Sequence, residues 1–449
     1  MSDSAYKWGG HALLGRIAFS TLPQWQQELV EPDMSPEGLD RPYLPKGAIE
    51  TAGDKMGFLC SIMDLVYYDE CRPYATLPDG RWIPHAPPDE NWQACAGTGQ
   101  APSPAASMAI TELLMNRTID AMRTKDWEEA IRHAGALGHY LEEPFTPGHA
   151  MDNRIFHEVF PDPDPTRHMR LHHAFDCASD LFDPRPPKLM GTSVPEAAFH
   201  LQMELDNGVV EAKKLVALII RSVYDGQPAK VRAAMLGEQA GWASYVTACA
   251  WHTAFCIAFD RFEPQEVEAL KEVSLIDSVP YFWHACQYVH VVPGKLVKKS
   301  RTIPIHVWTT NGDGRREQQI ENGFGMGGHM GAKFAVNGEV HSRFRCRAGL
   351  PSQHTEGQCK HTDTRFFVEL DEQENTVYSE DIEYRTTPVF ERQLVPGEPV
   401  FEVDVDISGA KTLILKTQCQ PYKNPETGQQ QWFVPHVAIC EPTLIKRPL

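Results

Sequence analysis

The chain has no CxxC pair, and its 11 cysteines are an odd number. Neither a full disulfide framework nor a zinc ribbon is indicated, and the redox compartment stays open. Basic side chains are in deficit, with 42 Lys and Arg against 60 Asp and Glu and a formal charge of −18. That argues against a broad nucleic-acid footprint, which needs basic surface. It does not exclude a site where bound cations reverse the local charge. The opening "MSDSAYKWGGHALLG" lacks the basic segment and apolar core of a signal peptide. No G-x-S-x-G elbow and no H-E-x-x-H motif occurs, nor a short internal repeat or a low-complexity tract. Charge is missing altogether from Gly241 to Phe259, "GWASYVTACAWHTAFCIAF". That run is nearly long enough to span a bilayer, but its Ala, Thr, Ser and His content reads as a buried core helix of a soluble protein. One sequon, Asn116-Arg117-Thr118, falls within an apparent helix and is a weak sign of secretion.

A chain of 449 residues can bury more than one core. From about Ala101 to Asp260, apolar residues recur at three- and four-residue spacing, as in "ASMAITELLMNRTIDAM". Helices are also expected near Trp8–Phe19 and Lys55–Tyr68, separated by proline-bearing loops. After about Glu263 the period changes to two. In "AKFAVNGEVHSRFRC", Asn337-Gly338 stands between two alternating runs and predicts a hairpin. Phe401, Val403, Val405 and Ile407 alternate with acidic residues, as in a strand with one wet face. The expected fold is therefore an α+β two-domain chain: an all-α domain over residues 1–262 and an antiparallel β-sandwich over 263–449. The glycines from Gly323 to Gly331 lack a following helix or a G-K-[ST], so they are expected in tight turns rather than a phosphate loop.

The chemistry concentrates in "HYLEEPFTPGHA", His139 to Ala150. On a helix, His139 and Glu143 share a face. Pro144 biases Glu143 away from helical angles, so the helix should stop there. A loop through Pro147 can then bring His149 back. A second helix, "TRHMRLHHAFDCASD", sets His172 and Asp176 four apart. Such pairs are ordinarily solvated, and roughly two or three arise by chance in a chain of this composition. The joined pattern His139, Glu143, His149, His172, Asp176 is the more informative one.

That pattern resembles the core of the zinc-dependent phospholipases C and the fungal single-strand nucleases, which share an all-helical fold. "HYLEEPFTPGHA" is similar to their H-Y-x-x-D-x-x-x-P-x-H-A segment, and "HHAFD" to their H-x-x-W-D or H-x-x-x-E. "KWGGHALLGRIAF" resembles the nuclease opening, and "YYDECRPYATLPDGRWIP" a proline-rich phospholipase segment. The resemblance spans roughly residues 8 to 260. It implies a phosphoric diester hydrolase with two to three zinc ions. One ion would be held by His149, His172 and Asp176, a second by His139, Glu143 and Asp54, and a third by Trp8, His11 and Glu143. Glu143 would bridge two ions, and Asp54 would also orient the attacking water.

Three departures stand out. Glu143 replaces the family's aspartate, Val66 or Tyr67 stands where a histidine is expected, and seven residues precede Trp8. The family's tryptophan binds through a free terminal amine, so the third ion is expected to bind weakly here. The C-terminal segment "NGFGMGGHMGAKFAVNGEVHSRFRCRAGL" resembles the opening of the NPCBM family of carbohydrate-binding modules, and "VFEVDVDISGAKTLILKT" its strand pair.

Together these readings imply a phospholipase C acting on a phospholipid head-group diester. Its C-terminal domain would meet glycan or membrane surface peripherally, without a transmembrane segment. The family resemblance favours secretion. A single-strand nuclease or nucleotidase, and a non-catalytic glycan-binding protein with a decayed metal site, are the alternatives.

Overall fold

The computed structural model describes residues 10–30, 51–61, 104–150, 179–280, 282–285, 292–298, 301–312, 314–327, 330–354, 364–371, 388–419, 422–423, 426–431 and 436–448. The chain forms two compact units, Met1–Glu268 and Ala269–Leu449.

The described part of the first unit is helical: α1 (Gly10–Ser20), α2 (Gln24–Val30), α3 (Ala52–Ser61), α4 (Pro104–Thr124), α5 (Trp127–Glu142), α6 (Val194–Tyr224), α7 (Ala229–Phe259) and, at the unit's edge, α8 (Pro264–Ala269). The helix expected over Lys55–Tyr68 is present to Ser61, and the rest of it lies outside the described residues. So does the helix expected around His172.

Local chemistry sets the helix ends. Thr51 and Asp54 form a reciprocal capping box on α3: the Asp54 N–H donates to Thr51 Oγ1 at 3.1 Å, and the Thr51 N–H donates to Asp54 Oδ2 at 3.1 Å. Asp126 caps α5 by accepting from the Glu129 N–H at 3.3 Å. Along α5, Ala130, Ile131, Ala134, Leu137 and Leu141 recur at helical spacing and are buried. The helix gives way to a 3-10 turn at Glu143–Phe145, where Pro144 brings no N–H to continue it.

The uncharged stretch forms the C-terminal half of α7, where Ala243, Val246, Cys249, Ala250, Trp251 and Ala254 are buried. No described helix is long and apolar enough to cross a membrane. The sequon sits in α4, with Thr118 buried and its hydroxyl donated to Leu114 O. Helices α1 and α3 meet at Gly57, where a Cβ would stand 2.3 Å from Ala12 O. Only glycine permits that approach.

In the second unit, the described strands pair antiparallel. One sheet has the order β1 (Glu272–Ser274), β15 (Val437–Lys446), β8 (His341–Gly349), β11 (Phe401–Asp406), with β6 (Gly323–Met326) also paired to β15. The other runs β10 (Phe390–Leu394), β9 (Thr364–Leu370), β12 (Thr412–Cys419), β7 (Met330–Ala335), β2 (Phe282–Ala285). Strands β3 (Lys295–Lys298), β4 (Arg301–Asn311) and β5 (Gly314–Ile320) form a third, and β13 (Tyr422–Lys423) pairs with β14 (Gln430–Gln431). The alternation read from Phe401 onward is real: Val403 and Val405 are buried while Glu402, Asp404 and Asp406 are exposed.

The hairpin expected at Asn337-Gly338 does not form. Strand β7 pairs with β12 and β2, whereas β8 pairs with β11 and β15, so the turn carries the chain from one sheet to the other. Glycine is required there by crowding rather than by a hairpin turn, since a Cβ on Gly338 would meet Ala410 N at 2.3 Å. The second corner, between β11 and β12, packs on the first: the Gly338 N–H donates to Ala410 O at 2.8 Å and the Gly409 N–H to Gly338 O at 3.0 Å. Gly323 and Gly325, expected in turns, instead lie inside β6, where a Cβ on Gly323 would strike Ile439 O at 2.4 Å.

Candidate metal centre

Three pieces of chain converge. His11 lies in the first turn of α1, His139 and Glu142 in the last turn of α5, and Glu143 opens the 3-10 turn. Past Pro147 the chain folds back, with the N–H groups of His149 and Ala150 both donating to Thr146 O. That turn returns His149 to the end of its own helix. His139, Glu142, Glu143 and His149 are all buried, and the His11 side chain is 14% exposed.

His139 and His11 are each oriented through the far nitrogen. His139 Nδ1 lies 2.9 Å from the Cys60 carbonyl oxygen. A carbonyl only accepts, so Nδ1 carries a proton, and Nε2 lies toward Glu143 Oε1 at 3.4 Å. His11 repeats the arrangement, with Nδ1 2.8 Å from Glu142 Oε2 and Nε2 3.0 Å from Glu143 Oε1. The two ring centroids are 4.3 Å apart. His149 Nε2 approaches the other carboxylate oxygen, Oε2, at 2.9 Å, and that buried oxygen makes no aligned hydrogen bond. Glu143 thus presents one oxygen to His11 and His139 and the other to His149.

Burial alone would raise the Glu143 carboxyl, but the surrounding imidazoles, His149 first and then His11 and His139, hold it well below the usual range. Glu142 moves the other way: burial raises it, Glu143 adds to the rise, and the bonds from His11 and Thr247 oppose. Burial, helped by Glu142, also pushes the Cys60 thiol well up, so Cys60 serves the site through its backbone.

One ligand atom each from His11, His139 and Glu143 fall within 4.8 Å of one another. Lone pairs on two Nε2 atoms and a carboxylate oxygen repel unless a proton or a cation is shared among them. Imidazole and carboxylate donors in that arrangement fit zinc. The sequence assigns His11 with Trp8 and Glu143, and His139 with Glu143 and Asp54, with Glu143 as the bridge; in the structure His11 and His139 both approach one oxygen of Glu143. Asp54 is engaged in the α3 capping box and lies 3.8 Å from the Arg16 guanidinium. It is outside the group of three. Trp8, His172 and Asp176 lie outside the described residues.

Sequence reasoning missed Glu142, whose signal was its i, i+3 spacing from His139, and Thr247, whose hydroxyl donates to Glu142 Oε1 at 3.1 Å from α7. It also missed the Cys60 carbonyl, which no sequence pattern marks.

No family model and no curated protein matches the sequence. Among solved structures, the alpha toxin from Clostridium absonum matches 99% of this chain and 95% of its own at 10% identity, with a TM-score of 0.32. A CBM51 from Clostridium perfringens GH95, in complex with methyl-galactose, matches 38% of this chain and 99% of its own at 16% identity and TM-score 0.27. The M60 catalytic domain with CBM51 domains from Clostridium perfringens ZmpB matches 39% of this chain at 15% identity and TM-score 0.28, and this chain spans 15% of its length.

Proposed function

We propose that the first unit is a zinc-dependent phosphodiesterase, and within that class a phospholipase C acting on a phospholipid head group. The observation that carries the reading is the convergence of three imidazole Nε2 atoms on the two oxygens of the buried Glu143. The motif resemblance from His139 through His149 supports it. His11, His139 and Glu143 would hold one ion, and His149 would contribute to a second from the other oxygen of Glu143. Zinc bound there would supply positive charge to an anionic phosphodiester and acidify water near it. The chain's own part is to hold the nitrogens in place and keep Glu143 ionised. Asp54 is the proposed group for orienting water. For the second unit we propose glycan binding, on the NPCBM-like motifs alone.

The test is zinc per chain, by elemental analysis, together with hydrolysis of a choline phosphodiester and of single-stranded DNA. His139→Ala and Glu143→Ala should each remove at least one zinc and lower diester hydrolysis by about two orders of magnitude or more. Unchanged zinc content in both variants would sink the assignment. Faster cleavage of DNA than of the choline ester would move it to a nuclease. Asp54→Asn should slow hydrolysis with zinc retained; an unchanged rate leaves Asp54 as a helix cap.

A further inference from the structure

We propose that Glu142 is a positioning residue that fixes the tautomer and orientation of His11, so that Nε2 of that ring is delivered to the metal. The inference rests on the zinc reading above. Glu142 is a fully buried carboxylate with both oxygens engaged: Oε2 faces His11 Nδ1 at 2.8 Å, and Oε1 accepts from the Thr247 hydroxyl at 3.1 Å. It stands on the side of the imidazole opposite Glu143. One ring is therefore gripped between two adjacent residues of one helix end, Nδ1 by the first and Nε2 by the second.

The parallel with His139 shows why this matters. There a backbone carbonyl, Cys60 O, holds Nδ1, and no substitution can remove it. His11 comes from another helix and relies on a side chain for the same service. A carboxylate behind a ligating imidazole sets which nitrogen is free and makes that nitrogen a better donor, and losing such a partner costs 10- to 100-fold in metal affinity. Thr247 in turn fixes the carboxylate from α7, so three helices contribute to aiming one lone pair.

Two readouts test this on the full chain. The first is zinc affinity by chelator competition. Glu142→Leu should weaken binding of one ion by ~10- to 100-fold, and Glu142→Gln, which keeps an acceptor for Nδ1–H, should weaken it less. The second is the imidazole 15N spectrum of the zinc-free protein, with the His11 ring assigned by loss of its signals in His11→Gln. Nδ1 of His11 should carry a proton in the wild type and in Glu142→Gln, and the ring should shift toward Nε2–H alone in Glu142→Leu. If Glu142→Leu does not fold, Glu142→Gln still carries the affinity arm.

Affinity unchanged within twofold in the folded variants overturns the proposal, as does an Nε2–H tautomer in the wild type. Complete loss of the ion from Glu142→Gln at any zinc concentration would make Glu142 a ligand and overturns it as well. If the wild-type chain binds no zinc, the phosphodiesterase reading fails, and the tautomer alone decides whether Glu142 orients His11.

Discussion

A buried titratable group stabilises the fold at one end of the pH scale and weakens it at the other. Asp206 on α6 is the case in point: burial lifts its carboxyl from 3.8 to about 7, against a hydrogen bond from Gln202. The folded state therefore favours the protonated form. The cost is absent below the unfolded value and grows as pH rises through the folded one, up to about 4 kcal/mol. Asp206→Asn should match the wild type near pH 3.5 and be more stable by about 2–4 kcal/mol at pH 8, as measured by denaturant unfolding at both pH values. Equal stability at both would show that Asp206 ionises freely in the native protein.

The same scale explains what the sequence could tell about the site. The His139–Glu143–His149 cluster was legible because helical periodicity and the two prolines fix it locally. The ring contact of His11 with His139 was not, since it depends on how α1 packs against the end of α5, far along the chain. Asp54 is expected as a ligand from its motif, and its carboxylate also forms the capping box at the start of α3. A T-x-x-D string is ambiguous between those roles until the helix start is known.

Among the elements, β12 and β9 show how a polar pair is housed in a sheet. The Lys416 ammonium lies 3.3 Å from Glu369 Oε1 and 5.4 Å from the centre of the Phe367 ring, with both charged side chains mostly buried. Burial pulls the Lys416 ammonium down and Glu369 holds it up. Desolvation offsets much of the attraction in such pairs, so removing one member is worse than removing both. Lys416→Met should cost about 3–5 kcal/mol in thermal or chemical unfolding, and adding Glu369→Leu should recover most of that loss. A double variant no better than the single would mean the two residues are not coupled.

Strand alternation was easy to read for β11 because one face is wet and the other dry. Partnership between strands was not. Asn337-Gly338 satisfies a local hairpin rule, yet the chain leaves the sheet there because β7 and β8 each find better partners far along the sequence.

For the whole molecule, the division near residue 268 gives each unit its own core. A fragment ending at Glu268 should give helical circular dichroism and retain zinc, and one starting at Ala269 should give a β-type spectrum with cooperative melting. Failure of both to fold alone would mean that the units share stabilising contacts. The two corners at Gly338 and Gly409 carry a further consequence for time. Because β6, β7, β8 and β9, and again β10, β11 and β12, alternate between sheets, neither sheet of the sandwich can be finished by zipping up neighbours along the chain. Strand β15, late in the sequence, lies between β1 and β8 and must wait for partners roughly a hundred or more positions away. Loop closure over such spans is paid before any pairing rewards it, so the second unit should refold in milliseconds to seconds, behind the helical unit. During that interval the half-built sheet edges stay open, and that is when this chain is most exposed to aggregation.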